Sequence, residues 1–256
     1  MSGHSKWSTI KRKKGAADAK RGQLFTRLAR EISIAARQGG GDPDSNFRLR
    51  IAIDRARANN MPKDNIERAI AKGTGEGKDG SIQIEDVIYE GYAPHGVAML
   101  IECVTDNRNR AVAEIRHCLT RFGGSMGETG SVGWQFQRVA YFSFPLENHD
   151  EDKIFELAVE GGADDVTFDD GIVEITGDIE YFKAINDELE AAHIQTDEAG
   201  LRSFPTNEIE LSPSDTAQVL RVVEALEELE DVQNVYSNLH ISDEALVELE
   251  AASTSA

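Results

Sequence analysis

The sequence predicts a multidomain α+β protein. An N-terminal three-helix bundle is followed by two ferredoxin-like α+β sandwich domains, the second inserted in the first. Three observations carry this. Apolar residues recur at helical spacing as far as Ile70, then at mixed strand and helix spacing from Ile82 onward. A stretch with four glycines, residues 73–80, separates the two regimes. The charge also reverses there. Residues 1–78 hold 18 Lys and Arg against 8 Asp and Glu, which leaves 9 basic and 38 acidic residues of the chain's 27 and 46 for the remainder. At 256 residues the chain can bury more than one core. The expected division is a flexible basic arm (1–22), a helical domain (23–78), an α+β domain built from 79–137 plus 206–242, and an inserted α+β domain (138–205).

Residues 1–22 have few large apolar side chains beyond Trp7 and Ile10, so burial cannot offset the entropy of ordering them. Lys6, Lys11, Arg12, Lys13, Lys14, Lys20 and Arg21 stand among Gly3, Gly15 and Gly22. An inert solvated tail is the plain alternative. The density of cations around one Trp favours an arm whose cations meet phosphates while its indole stacks on a base.

Leu24, Leu28 and Ile32, with Phe25 and Ala29 beside them, predict a helix stopped by Gly39-Gly40-Gly41. Asp44 or Ser45 is placed to cap a second helix, in which Leu49, Ala52, Ile53 and Ala56 share one stripe. Arg48 and Arg55 fall along one edge of that stripe, Arg50 and Arg57 along the other. Four guanidiniums thus frame a buried face, stems packed and heads outward. A third helix follows Asn59-Asn60-Met61, with Pro62 in its first turn, Asp64 and Glu67 at capping-box spacing, Ile66 and Ile70 inward, and Gly73 placed to end it.

Strands are predicted over 87–92 and 97–104, meeting at Pro94-His95-Gly96. Asp106 is placed to cap a helix with Val112, Ile115 and Leu119 on one face, closed by Phe122-Gly123-Gly124. Extended structure at 133–136 and 139–144, a helix over 150–160, a strand at 172–175 and a helix over 181–192 follow. A strand at 208–211, a helix over 216–229 and a strand at 232–239 complete two layers of helix on sheet. Residues 243–256 are expected to fray.

Catalysis finds little support. Glu102, Asp106 and Glu114 near Arg108 and Arg110 could frame a metal-dependent nuclease, but capping and solvation explain them better. His95, Cys103, His117 and Cys118 lack zinc-ligand spacing, and both cysteines read as core. The glycine-rich residues 125–131 lack the Lys-Ser/Thr of a phosphate loop and read as a flexible hairpin connection in preference to a binding loop. No catalytic residue, metal ligand set or cofactor is assigned. No window approaches the ~20 apolar residues of a membrane span. The N-terminus lacks the apolar core of a signal peptide, and two cysteines fit a reducing, cytoplasmic location. The chemical signal is electrostatic, that of a non-enzymatic nucleic-acid binder. Its expected contacts are Lys6, Trp7, Lys11, Arg12, Lys13, Lys14, Lys20, Arg21, Arg48, Arg50, Arg55 and Arg57. No helix-turn-helix turn is evident, so major-groove reading is not expected.

Several stretches then carry a resemblance. Gly3-His4-Ser5-Lys6-Trp7, Asp18-Ala19-Lys20-Arg21-Gly22, Asn60-Met61-Pro62-Lys63-Asp64-Asn65-Ile66, Tyr89-Glu90-Gly91-Tyr92 and Thr105-Asp106-Asn107-Arg108-Asn109-Arg110 closely resemble signature stretches of the YebC/PmpR family. The resemblance runs over essentially the whole chain and is strongest through Phe136. Ala93 and His95 stand where members often have glycine around the proline, and Ala111 where Thr is usual. The resemblance implies a helical domain and two α+β domains around a central cavity, a cytoplasmic location and a role in gene expression. Members are described as DNA-binding transcriptional regulators, others as translation factors acting on the ribosome at proline runs. It brings no catalytic residues. The expected partner is therefore DNA or ribosomal RNA, with the ribosome in the second case. An acidic adaptor binding protein through its C-terminal domains is the reading of another class.

Overall fold

The structure is a computed structural model and describes residues 17–76, 84–147, 149–169 and 171–254. Three helices open it: α1 (Ala17–Gly39), α2 (Phe47–Ala58) and α3 (Lys63–Thr74). Their shared core takes Leu28, Ile32, Ala35 and Ala36 from α1, Leu49, Ala52, Ile53 and Ala56 from α2, and Ile66 and Ala69 from α3. The stripe expected on α2 is the buried face.

The helix ends depart from expectation in instructive ways. Helix α1 reaches back to Ala17, so residues 17–22 are helical and do not belong to an arm ending at Gly22. Ala, Lys and Arg there favour helix, and one Gly does not overturn them. The cap of α2 is Asn46, not Asp44 or Ser45. Its Oδ1 accepts from the Leu49 N–H (3.1 Å), while its Nδ2 donates to Ala35 O (2.7 Å) and Gly40 O (2.8 Å), tying the end of α1 to the start of α2. At α3, Pro62 occupies the cap position and no side chain caps the helix, so the Asp64/Glu67 box does not form. Gly73 does not end α3. The helix runs to Thr74 and stops at Gly75, whose φ of 83° is left-handed. Gly73 serves close approach instead, because a Cβ there would lie 2.2 Å from the Ser33 carbonyl oxygen of α1. Ser33, itself buried, sets its Oγ 2.8 Å from Ala69 O of α3 and 2.9 Å from Ala29 O, its one hydroxyl proton serving either.

The next elements are β1 (Glu85–Tyr92), β2 (Ala98–Thr105), α4 (Arg108–Arg121) and β3 (Ser125–Met126). Strands β1 and β2 pair antiparallel from Glu85↔Thr105 to Tyr92↔Ala98, across a turn in which His95 (φ 65°) and Gly96 (φ 77°) are left-handed. The cap of α4 is Asn107, which accepts from the Arg110 N–H (3.1 Å); Asp106 instead pairs with Arg110.

Phe136–Pro205 forms a compact unit of its own, and the remainder of the chain forms the other. Its elements are β4 (Phe136–Pro145), α5 (Glu151–Glu160), β5 (Ala163–Asp169), β6 (Ile172–Gly177), α6 (Phe182–Ala191) and β7 (Glu198–Pro205). The sheet order is β5-β6-β4-β7, every pair antiparallel, which is the βαββαβ ferredoxin-like arrangement. Phe142, Phe144, Val173 and Ile175 pack under Ile154, Ile185 and Leu189, with Phe142 and Phe182 stacked at 4.8 Å. Strands β5 and β7, absent from the sequence expectation, are the two edges. Ala-Asp-Asp-Val-Thr-Phe-Asp and Glu-Ala-Gly-Leu-Arg-Ser-Phe-Pro lack the apolar alternation of a strand with a fully covered face.

Beyond this unit come β8 (Ile209–Glu210), α7 (Pro213–Glu227), β9 (Val232–Ser237), β10 (Leu239–His240) and α8 (Asp243–Thr254). Strand β9 joins β2, so the first sheet is ordered β3-β1-β2-β9 with its hairpin in the middle. The expected strand 232–239 is broken at buried Asn238, whose side chain accepts from the Ala98 N–H (2.8 Å). Where the chain leaves and re-enters, Thr206 N–H and Oγ1 both donate to Gln135 O (2.7 and 3.0 Å). Helix α8 is not frayed, because Ala245 and Leu246 are buried with Val219, Leu226 and Leu239 in the core of this domain. Leu246→Ala is expected to cost about 2–4 kcal/mol in urea denaturation of the full chain. A loss below about 0.5 kcal/mol would mean that α8 contributes no core contact.

Candidate nucleic-acid interface

Of the expected contacts, Lys6, Trp7, Lys11, Arg12, Lys13 and Lys14 lie outside the described residues. Lys20 and Arg21 stand on the first turns of α1. The four α2 arginines do flank the buried stripe, but each rests on a protein group. Arg48 donates to Gln38 Oε1 (2.5 Å), Arg55 faces Glu31 (3.4 Å), and Arg57 faces Asp54 (3.1 Å). Arg50 lies 5.3 Å from the centre of the Phe47 ring, and its buried Nε has no hydrogen-bond partner among the described residues. Arg57 is 69 % exposed, and ion pairs this open are worth only about 0–1 kcal/mol. A charge-assisted bond to phosphate competes readily with such a partner.

Arg27 is the residue the sequence reasoning missed. Burial, and then repulsion from Arg55, hold its guanidinium below its ordinary value. Glu31, 3.4 Å from Arg55, already answers part of that repulsion, so a phosphate arriving at this edge competes with Glu31. Arg27 and Arg55 are 28 positions apart in the sequence, so no local spacing reports them. The pairings of Arg48 with Gln38 and Arg55 with Glu31 show that α1 and α2 run antiparallel, and this brings Arg27 to the same edge.

A second missed feature fastens the helices to the first sheet. Asp231, its side chain 2 % exposed, accepts from Arg110 Nη2 (2.9 Å), Arg110 Nε (3.1 Å) and Thr105 Oγ1 (3.0 Å), and it faces Arg30 Nη1 of α1 at 3.1 Å. Those bonds from Asp231 hold the Arg110 guanidinium above its ordinary value. Arg30 also bonds Glu230, and Arg37 donates to Ile84 O. Two cations of the basic region are therefore committed to architecture and are not offered to a ligand.

The residues 125–131 loop is held, not flexible. Glu90 of β1 is 8 % exposed, and its carboxylate accepts from the backbone N–H of Gly130 (2.7 Å), Val132 (2.6 Å) and Gly133 (2.9 Å). Burial raises the affinity of that carboxyl for its proton, but the three amide bonds outweigh it and leave the group below the usual carboxylate range. Burial, with Asp231 and Glu102 adding to it, pushes the Cys103 thiol up to about 12, and burial raises Cys118 as well. Both are core thiols, protonated at neutral pH. Among the described residues no group of three or more His, Cys, Asp or Glu side chains is arranged to hold a metal ion, and no helix is long and apolar enough to cross a membrane.

Comparison with known proteins agrees over nearly the full length. Residues 5–76 match the family described as TACO1/YebC protein N-terminal domain, and residues 84–239 match TACO1/YebC second and third domain. A probable transcriptional regulatory protein of Acidithiobacillus ferrooxidans is 51% identical over 99% of this chain and 100% of the relative. One from Desulfatibacillum aliphaticivorans is 49% identical over 97% of this chain and 100% of the relative. A crystal structure of a conserved hypothetical protein from Aquifex aeolicus superposes with a TM-score of 0.82 at 41% identity, covering 89% of this chain and 93% of that one. The helical bundle, the interrupted first sheet and these matches lead to one assignment: the chain belongs to the TACO1/YebC family.

Proposed function

We propose that this chain is a non-enzymatic, cytoplasmic, nucleic-acid-binding regulator of gene expression, acting in transcription through DNA, with affinity supplied by its basic N-terminal residues and the Arg27/Arg55 edge of the helical bundle. The charge reversal carries this reading: 18 of the 27 Lys and Arg residues lie in residues 1–78. A polyanion is drawn to that part, while the net-acidic remainder adds no long-range attraction of its own. The names of the relatives, probable transcriptional regulatory proteins, support regulation of transcription. Ribosomal RNA is the competing target, and in-cell crosslinking with sequencing of the attached nucleic acid separates the two. Promoter DNA among the recovered fragments supports the transcriptional reading; recovery dominated by ribosomal RNA overturns it in favour of a translation factor.

Neutralising Lys11, Arg12, Lys13 and Lys14 together is expected to weaken binding and to flatten the slope of log K against log salt by about 3. An unchanged slope in a salt titration would show that these residues make no phosphate contact.

A further inference from the structure

Trp134 is 71 % exposed, more than any other large hydrophobic side chain among the described residues. A lone exposed aromatic is ordinary on a protein surface. This one is fixed in place from several directions. Its Nε1 donates to Ser131 O (3.1 Å), and the Tyr92 hydroxyl donates to the same carbonyl (3.3 Å). The three amides that Glu90 binds lie at 130, 132 and 133, immediately before the indole, and Gly127 N–H donates to Glu90 O (2.8 Å). Val132, with no exposed surface, anchors the segment from below. Burying a carboxylate is costly, and here its compensation comes from one loop, chiefly from three backbone amides. What that arrangement delivers to the surface is one indole in one orientation.

We propose that Trp134 is a stacking platform for an unpaired nucleobase. This rests on the nucleic-acid reading above and deepens it, since it names single-stranded or looped nucleic acid as the ligand. The indole N–H is already occupied by Ser131, so the ring offers its π surface and not a hydrogen bond. Its exposed or partly exposed neighbours along the chain include Glu128, Thr129, Gly130, Ser131 and Gln135, all polar or small, with Met126 and Phe136 partly buried on either side. A docking face for a protein needs a contiguous apolar patch, whereas one aromatic plane in polar surroundings suits one base. Holding the ring in advance removes the ordering cost that weakens flexible contacts. Bases inside a duplex have both faces covered by their neighbours, and only unpaired ones can stack.

The chain has two tryptophans, Trp7 and Trp134, so Trp7→Phe in the full chain leaves Trp134 as the sole indole reporter; because Trp7 is itself an expected contact, affinities are read by anisotropy on the unsubstituted chain and its Trp134 variants. Single-stranded RNA and DNA of about 12 nucleotides without self-complementarity, and a duplex of the same length, are titrated in turn at about 50 mM salt. Binding is followed by anisotropy of the labelled strand and by indole emission. The expected result is quenching of Trp134 by both single strands and much less by the duplex. Trp134→Ala should weaken single-strand affinity about tenfold, Trp134→Phe much less, and neither should alter duplex affinity by more than about twofold. Single-strand binding seen by anisotropy with unchanged Trp134 emission overturns the platform and leaves the proposed function standing. Equal quenching by the duplex overturns the unpaired-base assignment. Absence of binding of the unsubstituted chain to any of the three overturns the platform together with the proposed function.

Discussion

Asp231→Ala should lower the stability of the domain that contains it by about 3–5 kcal/mol. The carboxylate is the common acceptor for Arg110, Arg30 and Thr105 in a place with 2 % side-chain exposure. Removing it takes the shared buried anion from two guanidiniums, leaving Arg110 only Asp106 and Arg30 only Glu230, and leaves a hydroxyl without its acceptor, and each such loss is expensive away from water. Asp231→Asn keeps an acceptor for Thr105 and loses only the charge, so its effect should be smaller. Amide exchange of the full chain is the sensitive measurement, with protection falling both in α1, which carries Arg30, and in β9, which begins at Val232. A change below about 1 kcal/mol in either place would show that Arg30 does not depend on Asp231.

Gly73→Ala sets two effects of opposite sign against each other. Helix propensity alone favours alanine by about 1 kcal/mol at an interior helical position. The new Cβ, however, would lie 2.2 Å from Ser33 O and 2.8 Å from Ala36 Cβ, and the nearer obstacle is backbone that cannot rotate away. Overpacking of this kind typically costs 1–3 kcal/mol, and a 2.2 Å approach to a carbonyl belongs at or beyond the upper end. The expected result is a net loss of about 2 kcal/mol or more, seen as a thermal midpoint lowered by roughly 4–8 °C. A raised midpoint would mean that α1 and α3 separate at no cost. The Ser33 Oγ bond to Ala69 O argues against that, because separation breaks it.

The contrast between Gly73 and the α2 stripe shows what was legible in the sequence. Leu49, Ala52, Ile53 and Ala56 are buried because of their own spacing, which a reader sees without knowing what covers them. Gly73 looked like a helix stop because glycine at that place has two uses, and only the position of Ser33 chooses between them. The same holds for caps: Asp44, Ser45 and Asn46 all qualify locally, but only Asn46 also reaches Ala35 O and Gly40 O. Edge strands β5 and β7 gave weak patterns because an edge needs little from its own sequence once a neighbour supplies the ladder. The acidic residues of α8 give it the look of a tail and disguise Ala245 and Leu246, which enter the core with Leu249 packed against it. At the candidate interface the number of cations was legible and their engagement was not. Gln38, Glu31, Asp54 and Phe47 decide where the four guanidiniums of α2 rest, and two of those partners, Gln38 and Glu31, are on another helix.

The clasp between Thr206 and Gln135 has a consequence for the order in which the chain acquires its structure during synthesis. The unit Phe136–Pro205 is contiguous, so all of its strands have been made once Pro205 emerges. The domain around it is not. Strands β1 and β2 are made early, but β9, α7 and α8, which complete their sheet and cover it, lie beyond residue 205. At ~5–20 residues per second the first hairpin and α4 wait several seconds with the rest of their shared apolar face uncovered. Arg30 waits over the same interval, since Asp231 is translated 201 positions later. A chain arrested just after Pro205 has emerged should therefore hold a finished inserted unit and an α1 not yet fastened to the sheet.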